Sequence, residues 1–205
     1  VRHFRAAGGI MITASHNPKE YNGYKAYDKD GIQLHPEDTA EISRLMAAMT
    51  FADVRQVTHP QDSLLWHWID DDVCEEYLAK LAALVRTGRD YDTGLRIVYT
   101  PLHGAGAGFV PKALMRAGYG NLYLVEEQME LNGEFPTVTV PNPEEPDAFR
   151  LAFHYGMRHK ADLILATDPD CDRVGAAVWV GGRYVMLTGN QIGVLLADYL
   201  LQNLP

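Results

Sequence analysis

The chain has 205 residues, of which 47% are hydrophobic, and its formal net charge is −9. This apolar content is enough for one large or two small buried cores, and the negative charge argues against nucleic acid as a partner, because a phosphate backbone requires clustered Lys and Arg. Two cysteines provide no disulfide framework and favour a reducing, cytoplasmic compartment, while no apolar stretch is long enough to suggest a membrane partner.

The first candidate site follows a short apolar run at residues 10–12, where the chain enters a loop of small and polar residues ending at Pro18. Ser15 in this loop places a hydroxyl after a predicted strand, a position suited to a nucleophile or a phosphate carrier. The loop does not match the serine-hydrolase elbow, because Thr13 and Asn17 stand where that motif has glycine. An ordinary polar turn is the alternative.

The next residues predict a hairpin and two helices. Residues 24–27 and 32–34 flank an Asp-Gly turn at 28–31, and helices are expected over 37–49 and 70–86. The apolar stripe predicted for the second helix contains Val73, Tyr77, Leu81, Leu84 and Val85.

Strands and helices then alternate to the end of the chain. The predicted elements are strand 95–99, helix 109–117, strand 122–125, helix 147–159, strand 163–166, strand 174–180 and helix 193–201. This order predicts an α/β fold in layers, with a mainly parallel mixed sheet flanked by helices.

Three glycines, Gly104, Gly106 and Gly108, lie between a predicted strand and a helix. They do not complete a dinucleotide-binding G-x-G-x-x-G motif, because Phe109 occupies the place of its third glycine. A tight packing turn is the preferred interpretation, with an anion at the helix N-terminus as the alternative. The neighbouring His103 is interpreted as structural rather than as a metal ligand.

The second candidate site is the loop between strands 163–166 and 174–180, where Asp168, Asp170 and Asp172 occupy alternating positions. Three acids in one loop repel one another unless a cation lies among them, and oxygen ligands suit Mg²⁺ or Ca²⁺. A solvated acidic turn is the alternative.

An EF-hand does not explain this loop. That motif needs a Gly after the third acid, a Glu at its twelfth position and helices on both sides. Here Arg173 and Trp179 occupy those two positions, and both flanks are predicted strands.

Taken together, the two loops resemble one family in their order and spacing. The matching segments are Thr-Ala-Ser-His-Asn-Pro at 13–18, Tyr-Asn-Gly-Tyr-Lys at 21–25, Thr-Pro-Leu-His-Gly at 100–104 and Asp-Pro-Asp-Cys-Asp-Arg at 168–173. They resemble the α-D-phosphohexomutases, and the most similar branch looks like bacterial α-phosphoglucomutase. Pro169 and Cys171 stand where the family often has glycine, but neither replaces a ligand.

The resemblance implies a role for each site residue. Ser15 would carry a phosphoryl group and, with the three aspartates, ligate Mg²⁺. His16 and Lys25 match positions near the transferring phosphate, and Arg173 matches a phosphate contact. The alternatives are a surface hairpin lysine for Lys25 and an orienting role toward the aspartates for Arg173.

The implied activity is interconversion of glucose 1-phosphate and glucose 6-phosphate, with glucose 1,6-bisphosphate as intermediate and activator. A phosphopentomutase, a phosphomannomutase, or a fragment that holds metal and phosphate without turnover are the alternatives.

The resemblance also suggests how the chain is divided. Residues 1–88 are expected to be the C-terminal part of a first α/β domain carrying the serine loop, with a linker at 87–90. Residues 89–187 are expected to form a second α/β domain carrying the metal loop, and 188–205 the start of a third. The chain is therefore expected to be a fragment that is inactive by itself, and its sequence gives no indication of oligomeric state.

Overall fold

The computed structural model describes residues 1–84 and 91–202, so the predicted linker at 87–90 lies outside the described residues. The chain divides into two compact units, and each is discontinuous in sequence. The first unit contains Val1–Thr13 and Asn22–Val73, and the second contains Ala14–Tyr21 and Cys74–Pro205. The serine loop thus groups with the C-terminal part of the chain, and the predicted domain boundaries stay predictions.

In the first unit, strands β1 (Gly9–Ile12) and β2 (Tyr24–Tyr27) form an antiparallel pair. Their register places Gly9 opposite Tyr27 and Ile12 opposite Tyr24. Helix α1 (Pro36–Ala47) follows, with proline in its first turn, where a missing N–H has no cost.

The predicted Asp-Gly turn after β2 is confirmed. Asp28 Oδ1 accepts hydrogen bonds from the backbone N–H groups of Asp30 and Ile32, both at 2.9 Å, and Gly31 has a φ of 75°. The returning segment at 32–34 forms a single antiparallel bridge rather than the predicted strand.

The second unit is built on a five-stranded mixed sheet. Its strands are β3 (Ile97–Thr100), β4 (Leu122–Leu124), β5 (Leu163–Thr167), β6 (Val174–Val180) and β7 (Arg183–Leu187). They lie in the order β4-β3-β5-β6-β7; β3 pairs in parallel with β4 and β5, whereas β5–β6 and β6–β7 are antiparallel. The predicted α/β class with a mixed sheet is confirmed.

Helices precede, connect and follow these strands along the chain. They are α2 (Asp71–Leu84), which begins at the end of the first unit, α3 (Val110–Arg116), α4 (Arg150–His159) and α5 (Gly189–Gln202). The predicted start of α4 at 147 is wrong by three residues, because Pro146–Phe149 form a 3-10 turn before it. Among the described residues, no helix has the length and apolarity needed to cross a bilayer.

The predicted apolar stripe of α2 is wrong in part. Leu78 is the buried residue of this helix, whereas Tyr77 is 51% exposed and Leu84 is 72% exposed. Leu78 is not part of the predicted stripe, so the covered face of the helix differs from the predicted one, and Val85 lies outside the described residues.

The main core lies between the sheet and the elements around α4. Its buried residues are Val98, Leu102, Val125, Ala148, Phe149, Ala152, Ala161, Ile164, Ala166 and Ala177. Because β3 and β5 are adjacent and parallel, with Thr100 opposite Ala166, the loops at their carboxyl ends emerge side by side. These are the turn that contains His103 and the loop that contains the three aspartates.

Candidate functional site

The three aspartates of the second motif form a compact group of carboxylates. One oxygen from each of Asp168, Asp170 and Asp172 can be chosen so that all three lie within 4.8 Å of one another. The hairpin of β5 and β6 creates this arrangement, because Thr167 pairs with Val174 and the six residues between them must turn back tightly. Asp168 is buried and Asp172 is exposed, so the group runs from the interior to the surface.

Asp168 is held by hydrogen bonds on both carboxylate oxygens. Its Oδ1 accepts from the backbone N–H groups of Asp172 at 3.1 Å and Arg173 at 3.0 Å. Its Oδ2 accepts from the Ser15 hydroxyl at 2.8 Å, across 153 positions of sequence. The two loops singled out from the sequence therefore meet at this side chain.

The carboxylates of the loop disfavour one another's charged form. Burial raises the pKa of the Asp168 carboxyl, and its hydrogen bond with the Asp170 carboxyl raises it further, against the opposing effects of the Ser15 hydroxyl and the Arg173 amide. Burial, followed by the three carboxylates, likewise raises the pKa of the Cys171 thiol, although a hydrogen bond with Thr167 opposes this. A close set of oxygen donors fits Mg²⁺ or Ca²⁺, because a divalent charge removes this repulsion.

Ser15 is half-buried and has an unusual backbone conformation, with a φ of 51°. The loop around it is closed by two turns, in which the N–H of Asn17 bonds to Ala14 O and the N–H of Tyr21 bonds to Pro18 O. A non-glycine residue in the left-handed region is uncommon and is often found where function constrains the chain.

Two further contacts involve the serine loop, one within it and one to a residue later in the second unit. His16 Nδ1 lies 3.3 Å from Ser15 Oγ, and Lys19 forms an ion pair with Glu134. Both partners of that ion pair are well exposed, so it contributes little to stability by itself.

The remaining predicted residues are placed as follows. The side chain of Arg173 is exposed, while its backbone N–H binds Asp168. Lys25 is half-buried on β2 of the first unit, opposite Met11.

The glycine-rich turn after β3 packs directly against the aspartate loop. A Cβ on Gly104 would lie 2.3 Å from Pro169 Cα, and one on Gly106 would lie 2.3 Å from the Tyr99 hydroxyl. Nothing lies within 4 Å of a Cβ built on Gly108. The prediction of a tight packing turn is confirmed for the first two glycines.

Sequence reasoning missed the groups that support the aspartate loop from inside. The hydroxyl of buried Tyr99 bonds to Thr167 Oγ1 at 2.9 Å, immediately before Asp168. The predicted structural role of His103 agrees with its burial and with hydrogen bonds on both ring nitrogens. The Thr-Pro-Leu-His-Gly segment at 100–104 was the available signal for these supporting groups, but the residues to which it forms hydrogen bonds are distant in sequence.

Comparison with known proteins identifies the family. A family model described as phosphoglucomutase/phosphomannomutase, alpha/beta/alpha domain II matches residues 75–181, and the model for domain I matches residues 1–53. The chain belongs to the phosphoglucomutase/phosphomannomutase family. The resemblance seen in the sequence motifs is thus confirmed.

Some individual relatives are named phosphoglucomutase and others phosphomannomutase. A phosphoglucomutase of Staphylococcus haemolyticus is 37% identical over 210 residues, covering 100% of this chain and 38% of the relative. A phosphomannomutase of Mycoplasmoides pirum is 34% identical over 204 residues, covering 99% of this chain and 37% of the relative. This chain therefore spans little more than a third of the length of these curated relatives.

A solved structure supports the same conclusion. The crystal structure of a protein from Thermus thermophilus, assigned as a phosphomannomutase, aligns with a TM-score of 0.75 and 28% identity. The alignment covers 98% of this chain and 42% of the other.

Proposed function

We propose that this chain carries the phosphoryl-transfer site of a phosphoglucomutase, with Ser15 as phosphoryl carrier. The observation that carries the proposal is the 2.8 Å hydrogen bond between Ser15 Oγ and Asp168 Oδ2, inside a group of three carboxylates. A hydroxyl beside a divalent cation site is the arrangement that phosphoryl transfer requires, since the chemistry depends on positioning and charge neutralisation.

The reaction is an isomerisation with no net consumption of phosphate. The phosphorus–oxygen bond to Ser15 breaks as a bond to a sugar hydroxyl oxygen forms, and the sugar proton passes to a base while the serine oxygen takes one up. Transfer of the other phosphate of glucose 1,6-bisphosphate back to Ser15 then converts glucose 1-phosphate to glucose 6-phosphate, or the reverse.

The proposed ligands of Mg²⁺ are Ser15, Asp168, Asp170 and Asp172. When bound, the cation would neutralise charge on the oxygens of the phosphoryl group. The backbone N–H groups of Asp172 and Arg173 keep Asp168 oriented toward the serine.

Three further residues have proposed roles near the phosphate. His16, with Nδ1 at 3.3 Å from Ser15 Oγ, is close enough to exchange a proton with the serine. Arg173, on the aspartate loop, is proposed to contact the transferring phosphate through its exposed side chain. Lys25 is proposed to lie near the same phosphate, as its match to the family motif implies.

Glucose phosphate is the first choice of substrate because the phosphoglucomutase of S. haemolyticus is 37% identical to this chain. Mannose phosphate is the second candidate, because the relative from M. pirum, at 34% identity, is named a phosphomannomutase. The two free cysteines, Cys74 and Cys171, support a cytoplasmic location for the reaction.

The phosphoryl carrier can be tested on the 205-residue chain by intact mass spectrometry. Incubation with glucose 1,6-bisphosphate and Mg²⁺ should add one phosphoryl group, and peptide mapping should locate it on Ser15. The Ser15→Ala variant and a chelated wild-type sample should gain nothing. A wild-type chain that stays unmodified with metal present, or is modified elsewhere, would contradict the proposal.

Substrate choice is tested by measuring turnover. Coupled assays with glucose 1-phosphate and mannose 1-phosphate, each with its bisphosphate activator, compare kcat/KM for the two sugars. A preference for glucose 1-phosphate supports a phosphoglucomutase, and the reverse preference supports a phosphomannomutase.

A further inference from the structure

His103 makes hydrogen bonds through all four of its polar groups, and every one of them leads to the same segment. We call residues 128–137 the brace segment. The backbone N–H of His103 bonds to Gln128 O at 2.9 Å, and its backbone O accepts from the N–H of Asn132 at 3.3 Å. Its ring nitrogens contact Glu130 O at 3.1 Å and Thr137 Oγ1 at 2.9 Å.

The directions of these bonds define the tautomer of the neutral ring. A carbonyl oxygen only accepts, so Nδ1 of His103 carries the hydrogen that bonds to Glu130 O. Nε2 is then an acceptor, and the Thr137 hydroxyl donates to it.

The chain of bonds continues into the interior. Thr137 Oγ1 accepts from Gln128 Nε2 at 2.9 Å, and Gln128 Oε1 accepts from the Thr100 hydroxyl at 2.6 Å. Gln128 and Thr100 are fully buried and His103 is 3% exposed, so these groups depend on one another for hydrogen bonds.

This network holds a turn that the backbone does not favour. Leu102 and His103 have φ values of 48° and 65°, two consecutive non-glycine residues in the left-handed region. The next two residues form the contact with the aspartate loop: Gly104 packs on Pro169, and the N–H of Ala105 bonds to Pro169 O at 2.8 Å.

We infer that His103 is a positioning residue for the metal loop: through its bonds to the brace segment it holds Gly104 and Ala105 against Pro169, between Asp168 and Asp170. Its hydrogen bonds go to the brace segment, so it acts on the loop through other residues. Because the loop that it positions is the proposed metal loop, the effect on metal binding rests on the proposed function.

Thr137 offers the cleanest test, because it can be changed without altering shape. Thr137→Val replaces the hydroxyl with a methyl group and removes the bonds to both His103 and Gln128. Thr137→Ser keeps the hydroxyl, and Thr139→Val makes the same chemical change at an exposed position two residues away.

The first measurement is amide hydrogen exchange at Ala105 in metal-free protein, which reports the bond to Pro169 directly. Thr137→Val should exchange at least about tenfold faster than wild type. Thr137→Ser and Thr139→Val should stay close to wild type.

The second measurement is Mn²⁺ affinity by calorimetry, which does not depend on turnover. Thr137→Val should bind about tenfold more weakly, a loss typical of groups that orient metal ligands. An unchanged rate of Ala105 exchange in Thr137→Val would overturn the inference. Faster exchange with an unchanged Mn²⁺ affinity would also overturn it, because His103 would then affect only local packing.

One further variant and one further measurement keep the result decisive. If Thr137→Val does not fold, His103→Asn removes the ring bonds while keeping a residue that tolerates positive φ, and the same two outcomes apply. If wild type binds no Mn²⁺, the proposed metal site fails, and Ala105 exchange still decides whether His103 holds the loop.

Long-range nitrogen–proton NMR should show the Nδ1–H tautomer in wild type, and the opposite tautomer would also overturn the inference.

Discussion

Ser15 has a strained backbone conformation, and its hydroxyl oxygen is proposed to accept the phosphoryl group. Its φ of 51° is unfavourable for a residue with a Cβ, by about 1–2 kcal/mol. The strained backbone brings Oγ to 2.8 Å from Asp168 Oδ2, which accounts for a serine in this conformation. Strain retained at such a position indicates selection for the placement of the side chain rather than for stability.

Comparing Ser15→Gly with Ser15→Ala separates strain from chemistry. Both variants lose the hydroxyl, but glycine relieves the left-handed strain, so Ser15→Gly should be more stable to unfolding than Ser15→Ala by about 1 kcal/mol. Chemical denaturation measures this difference, and intact mass spectrometry should show no phosphoryl gain in either variant. Equal stabilities would mean that the left-handed conformation is not maintained in solution.

Asp168 should make the stability of the metal-free protein depend on pH. Because its pKa is raised on folding, its stabilising contribution is complete below the ordinary aspartate value of about 4 and is lost as pH rises through the folded value. The neutral variant Asp168→Asn avoids this loss. We therefore expect it to melt at a higher temperature than wild type at neutral pH in chelator, with the gap closing toward about pH 4.

Magnesium should reverse the order of these two proteins. Saturating Mg²⁺ stabilises the folded state that binds it, so wild type should gain thermal stability while Asp168→Asn gains little. Thermal unfolding from about pH 4 to pH 8, with and without Mg²⁺, provides the measurement. If metal-free wild type melts at a higher temperature than Asp168→Asn at neutral pH, the buried carboxylates do not repel one another as the structure implies.

Among the elements, the turn after β3 is as important to the site as the aspartate loop itself. Its glycines differ sharply in the space around them. A Cβ on Gly106 would meet the Tyr99 hydroxyl at 2.3 Å and Thr167 Oγ1 at 2.7 Å, whereas one on Gly108 meets nothing within 4 Å. The two positions are a natural pair for comparing close packing with open space.

Gly106→Ala should destabilise the protein by about 2 kcal/mol, because the added methyl group must separate the hydrogen-bonded hydroxyls of Tyr99 and Thr167. Gly108→Ala should stay within about 0.5 kcal/mol of wild type. Urea unfolding of both variants gives the two values. Equal effects would contradict the close packing of this turn against β5.

Much of this element order could be predicted because the signals are local. The bounds of β6 agree with its apolar run, and the aspartates sit on the predicted turn between two strands. Helix α2 shows the limit: apolar spacing placed Tyr77 and Leu84 inside, but only Leu78 is buried. Which face of a helix is covered depends on tertiary neighbours that its own sequence does not contain.

The candidate site shows the same difference between local signals, which the sequence contains, and tertiary contacts, which it does not. Ser15 and the aspartates are recognisable because their residue types and spacing are distinctive, and the structure brings Ser15 to Asp168. The network around His103 could not be predicted, because its partners lie 25 to 34 positions away and three of them are backbone groups. Positive φ at His103 likewise left no pattern in the sequence.

At the scale of the whole molecule, the aspartate loop depends mainly on one unit. The strands on either side of it, the turn after β3, the brace segment and the main core all lie within residues 74–205. Of the groups that hydrogen-bond to Asp168, only Ser15 comes from earlier in the chain among the residues that the structure describes. This distribution suggests that metal binding and phosphoryl acceptance can be separated.

A chain of residues 74–205 should therefore fold and still bind Mn²⁺ through the three aspartates, but more weakly than the 205-residue chain, because it lacks Ser15, the fourth proposed ligand. Circular dichroism and calorimetry give the two measurements, with Asp170→Asn in the same shortened chain as the control that should lose the metal. The shortened chain should take no phosphoryl group from glucose 1,6-bisphosphate, since Ser15 is absent. Folding without Mn²⁺ binding would instead show that the aspartate loop needs the serine loop to hold its shape.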